Sequence, residues 1–142
     1  MRSALKNVAS VIAGFITASV IMMLVEMFNG HVLYPELSQA AQGMTDPEDI
    51  RALMASVPTG AMLVVLAGWC LGAVAGGWVT ARIAAPAGLR HALILAVLLT
   101  LAGIANNLML PPPLWFWLAG MLVLGPAAML GGRLAGRGWR HR

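Results

Sequence analysis

Apolar residues fill long stretches of this chain, and the charged residues are confined to the segments between and beyond them. No Asp, Glu, Lys or Arg occurs between Lys6 and Glu26, between Arg51 and Arg82, or between Arg90 and Arg133. A helix needs about 20 mostly apolar residues to cross a bilayer, so the first two stretches each allow one crossing and the last allows two. The flanks place the spans at residues 8–28, 59–83, 91–110 and 114–132, with a basic segment, 133–142, after the fourth. The predicted fold is all-α: a polytopic membrane bundle of four transmembrane helices in one integral membrane domain covering residues 1–142.

The long connection, residues 31–58, carries a helix signature in its second half. Thr45 or Asp46 serves as N-cap, Pro47 falls in the first turn, Glu48 and Asp49 lie near the positive end of the dipole, and Pro58 marks the stop. Thr45 and Glu48 also have capping-box spacing. Ile50, Leu53, Met54 and Val57 recur at helical spacing and give this short amphipathic helix one apolar face. That face either rests on the bundle and outer leaflet or forms a lid over an outward-facing cavity.

The other connections are short. Residues 84–88 join the second span to the third, and Pro111, Pro112 and Pro113 make a stiff turn that forces the third and fourth spans into an antiparallel hairpin. Gly68, Gly72 and Gly76 lay a small-residue groove along the second span, and Ala128, Gly132 and Gly136 repeat the device on the fourth. The related ends of these two spans suggest two helical hairpins with a pseudo-two-fold relationship. Pro126 is expected to kink or locally open the fourth span.

Composition supports the membrane assignment. With 60% hydrophobic and 10% charged residues, a soluble domain of this length would lack the polar surface to cover its core. The net charge of +4 indicates orientation rather than nucleic acid: eight of the nine Lys and Arg residues fall on the side of the two termini, leaving Arg51 opposite. The positive-inside rule makes both termini cytoplasmic. Arg2 and Lys6 before an apolar run also resemble a signal-peptide start, but the run is longer than a usual h-region and lacks a good cleavage site, so the first span is read as a permanent helix. Cys70, the single cysteine, lies in mid-span and reads as a packing residue.

Aromatic residues gather at the span ends. Trp115, Phe116 and Trp117 follow the prolines, Tyr34 suits the same outer layer, and Trp78 and Trp139 suit the inner one. Tyr34, Trp78, Trp115, Trp117 and Trp139 are read as interface anchors.

Candidate chemistry centres on Glu26, the one acidic residue within a span. It lies about two residues from the outer end, hence on the order of 3 Å below the boundary. Asn106 and Asn107 sit near the outer end of the third span, which crosses in the same direction as the first, so an amide could reach the Glu26 carboxylate. His31, one turn further along, and Thr59 complete a candidate polar or ion site of Glu26, His31, Asn106 and Asn107. Facing a wet cavity, it would take a cation or proton; otherwise it fixes helix packing or reaches headgroup water. The stripe Thr100, Gly103 and Asn107 admits the same two readings.

Enzyme templates fit badly. The chain has no catalytic triad, no H-E-x-x-H motif and no phosphate loop, and its histidines share no level suited to haem or metal ligation. No enzyme activity, metal or cofactor is expected.

Glu26, Tyr34-Pro35, the Gly72 to Gly77 region and the run from Gly103 through Asn106-Asn107 to Pro113 and Trp115-Phe116 resemble a family of small, uncharacterised bacterial inner-membrane proteins with four transmembrane helices. The resemblance implies a bacterial inner-membrane location and carries no activity. Two functions are therefore weighed. One is a solute or ion transporter or channel acting as a homo-oligomer through Glu26, Asn106 and Asn107. The other is an accessory or assembly subunit that docks a partner membrane protein through the small-residue faces.

Overall fold

Backbone groups in a bilayer must find partners within their own segment, so long apolar runs resolve into continuous helices. The computed structural model describes residues 2–137, and those residues are all-α. Helix α1 spans Arg2–Phe28 and continues as a π-helical turn over Asn29–Leu33. Two short helices follow, α2 at Pro35–Ala41 and α3 at Pro47–Ser56, and then α4 at Thr59–Ile83, α5 at Gly88–Met109 and α6 at Leu114–Arg137. Four helices are long and apolar enough to cross a membrane: α1 with its π turn, α4, α5 and α6. The chain is a polytopic membrane bundle, with α2 and α3 together on one side, called here the loop side.

The boundaries depart from the sequence reading in informative ways. The first span runs past residue 28 to Leu33, because Asn29–Leu33 keeps helical hydrogen bonding with a wider turn. The fourth helix continues beyond residue 132 to Arg137, so the basic segment begins as helix. It also passes through Pro126 as one element. The loop holds two helices, not one. Pro35 in the first turn and acidic Glu36 start α2, but its seven residues are too few to show an apolar period. The N-cap of α3 is Asp46, whose carboxylate accepts from the Glu48 backbone N–H at 2.8 Å. Glu48 then sits one position too early for a capping box, and its side chain pairs with Arg51 at 2.9 Å.

The centre of the bundle is α4, which packs against α1 on one side and α6 on another, while α5 closes over α4 and α6. The groove of Gly68, Gly72 and Gly76 is filled by α1: a Cβ on Gly72 would lie 2.8 Å from the Ala18 carbonyl oxygen. On another face, α4 meets α6 through reciprocal backbone approaches, Gly77 against the Ala128 carbonyl and Gly131 against the Val74 carbonyl. Ala128 is fully buried there, and Gly132 meets Ala92 of α5. Gly136 has no described residue near its Cβ position and lies on the exposed face of α6, although Ala135 beside it is buried.

Buried apolar side chains, among them Ala73, Leu95, Leu99 and Leu124, fill the space between the helices toward the terminal side. The outward surface is equally apolar: Ile12, Ile16, Val20 and Leu24 of α1 are all exposed, as expected of side chains that face lipid. Trp78 is exposed with the Arg82 guanidinium 5.0 Å from its ring centroid, an arrangement suited to the headgroup region. Trp115 is exposed and Trp117 half-buried, while Tyr34 is half-buried with its hydroxyl against Gly60. Trp139 lies outside the described residues. Phe116, grouped by sequence with the outer aromatics, is instead turned into the core.

Candidate functional site

On the loop side the bundle opens into a cavity of about 390 Å³ beneath α3. Ile50, Leu53, Met54 and Val57, the apolar face of α3, form its roof. The apolar face of α3 thus lines the cavity from the loop side. Glu26, Asn29, Asn106 and Asn107 supply polar groups, and Trp69 lines the cavity from α4. A volume of this size lies within the roughly 300–1,000 Å³ of small-molecule pockets.

Glu26 sits deeper than its position near the expected end of the span implied. Its neighbour Val25 packs on Gly68, which lies nine residues into α4, or about 14 Å along that helix at 1.5 Å per residue. The π turn is the reason, since it adds helix beyond Glu26 on the loop side. The carboxylate nonetheless remains exposed within the cavity. Its partner is not an asparagine: the Trp69 indole Nε1 donates to Glu26 Oε1 at 3.3 Å.

The Trp69 ring is held from three directions. Phe116 meets it edge-on with centroids 5.4 Å apart. Gly103 of α5 and Gly120 of α6 leave room for the ring; a Cβ on Gly120 would lie 2.8 Å from its Cζ3 atom. Of the small and polar stripe on α5, Gly103 therefore serves helix contact, Thr100 bonds back to the Ala96 carbonyl at 2.9 Å, and Asn107 reaches the cavity.

Asn107 is 1% exposed, and neither Nδ2 nor Oδ1 finds a hydrogen-bond partner among the described residues. Asn29 is 7% exposed; its Nδ2 donates to the Ala61 carbonyl at 3.1 Å, and its Oδ1 is unpartnered. Buried amides are normally bonded, since an unsatisfied one costs roughly 1–3 kcal/mol. Here three amide atoms with free valence belong to residues that line one cavity beside a carboxylate.

The structure thus brings together Glu26, Asn106 and Asn107 of the expected cluster and leaves His31 out. His31 is exposed, and its Nδ1–H donates to the Met27 carbonyl at 3.0 Å. Asn29 and Trp69 were not singled out in the sequence. The signal for Trp69 was an indole N–H in mid-span, which needs an acceptor when buried. Asn29 carried a signal in its spacing: it follows Ala18, Met22 and Val25 at helical intervals on the face of α1 that meets α4. No group of three His, Cys, Asp or Glu side chains suited to holding a metal ion occurs among the described residues.

No protein-family model, curated protein or solved structure matches this chain.

Proposed function

We propose that the chain is a carrier of small organic solutes in a bacterial inner membrane, with the cavity beneath α3 as its binding station. The observation that carries this reading is the set of unpartnered amide atoms on Asn107 and Asn29 at one cavity with Glu26. A purely structural asparagine would be bonded to a neighbouring helix, as Asn29 Nδ2 is to Ala61. The cavity volume also favours an organic solute over a bare ion, whose ligands must close to about 2.0–2.6 Å.

With both termini cytoplasmic by the positive-inside rule, the cavity opens to the outside. The Trp69 ring and the apolar core beyond it separate it from the terminal side, so passage requires that floor to open. The binding step needs no second copy, because one chain supplies every wall. The accessory-subunit reading loses its docking surfaces, since the faces of Gly68, Gly72, Gly76, Ala128 and Gly132 are occupied within the chain.

The test is flux across reconstituted vesicles with a panel of small organic solutes. Wild type should exceed empty vesicles for at least one solute, and Leu53→Trp, which fills the cavity from α3, should abolish that flux while the protein still folds. Flux equal to empty vesicles throughout, or flux unaffected by Leu53→Trp, contradicts the proposal.

A further inference from the structure

We infer that the solute is an amphipathic organic cation, an apolar body bearing a protonated amine or similar N–H donor head; this rests on the reading of the cavity as a solute site. The first argument is charge. Among the described residues lining the cavity, Glu26 is the only one with a formal charge, and no Lys, Arg or His joins it. An anionic solute would meet a carboxylate without a compensating cation, and a zwitterion would leave its own carboxylate without a basic partner. A cation meets an opposite charge beside apolar walls, where Coulomb attraction is stronger than in bulk solution.

The second argument is the pattern of free hydrogen-bonding atoms. Asn29 Oδ1 and Asn107 Oδ1 are acceptors without donors, and Glu26 Oε1 receives only the long bond from Trp69. Among the buried atoms without a partner, two are acceptors and one, Asn107 Nδ2, is a donor, and the Glu26 carboxylate adds acceptors only. An ammonium group carries donors and no acceptor, so it complements this set. A lipid acyl chain would fill the volume and leave these buried amides unsatisfied.

The third argument is the remainder of the wall. Met44, Met54 and Met62 are polarisable and adaptable, suiting an apolar body of variable shape, and Trp69 and Phe116 line the same wall. The loop segment that carries α2 and α3 holds Glu36, Asp46, Glu48 and Asp49 against a single Arg51, itself paired with Glu48. That imbalance draws cations toward the loop side and repels anions.

The test is calorimetric titration of the full chain in a neutral detergent with three matched probes: phenylbutylammonium, phenylbutanol and phenylbutyrate. The ammonium should bind about tenfold or more tighter than the alcohol, and the carboxylate weakest. Glu26→Gln should erase the preference of ammonium over alcohol, and Asn107→Leu should weaken both. The wild-type comparison needs no substitution, so a variant that fails to fold leaves the test intact. Equal binding of ammonium and alcohol, blocked by Leu53→Trp, overturns the cation inference and leaves the cavity reading standing. Absence of binding by all three probes overturns both.

Discussion

The Trp69 indole on α4 donates a hydrogen bond to the Glu26 carboxylate on α1 at 3.3 Å, tying the one charged group of the cavity to the ring that forms its floor. The bond fixes one carboxylate oxygen and leaves the other available. Because Trp69 also touches α5 and α6 through Gly103 and Gly120, all four long helices meet at this pair.

Trp69→Phe tests that coupling. It keeps most of the ring packing and removes the N–H, so we expect stability to fall by about 1 kcal/mol and solute affinity to fall severalfold. Thermal unfolding in detergent with parallel titration checks both. Unchanged affinity would mean that the indole does not position the carboxylate.

Gly120→Ala approaches the same pair from the opposite helix. The added methyl meets the Trp69 ring, which must tilt, so the expected result is weaker solute binding than in wild type even in protein of normal oligomeric size. Wild-type affinity in this variant would show that the ring has room to spare.

Asn107 offers a sharper contrast between stability and binding. Leu has nearly the same volume and no polar atoms, so Asn107→Leu should raise stability by roughly 1–3 kcal/mol while reducing solute binding. A destabilised Asn107→Leu protein would mean that the amide already has a partner, and would remove the main support for a ligand site.

The spans were readable because lipid and helix core are both apolar, and a run of such residues is unmistakable. The same fact hid which face of each helix points inward. Gly68, Gly72 and Gly76 announced a groove, but only the structure shows that α1 fills it. The apolar face of α3 was visible in the spacing of Ile50, Leu53, Met54 and Val57, because a helix outside the spans must segregate its polar residues. Asn29 was legible only as the next position after Ala18, Met22 and Val25 on the stripe that meets α4, and it opens the π turn that ends the first span. The same turn explains why Glu26 was expected at the boundary and lies well inside.

Packing at the groove gives a prediction with an internal control. Gly72→Leu drives a side chain into the α1 backbone and should cost about 3 kcal/mol or more, whereas Gly136→Leu should be nearly silent because no described residue lies near its Cβ position. Thermal stability and elution volume of the two variants, measured together, decide the matter; equal effects would contradict the observed packing.

The central claim is that a carboxylate deep in the bundle is reached from the loop side through the cavity under α3. Cysteine labelling in intact cells tests it, using Glu26→Cys in a Cys70→Ala background and a small, impermeant thiol reagent. Gln39→Cys, on the exposed surface of α2, identifies the side to which the reagent has access. The account predicts that Glu26→Cys labels from the same side as Gln39→Cys, and that adding Leu53→Trp slows it about tenfold or more by filling the path. Failure of Glu26→Cys to label from that side, or a rate indifferent to Leu53→Trp, would contradict it.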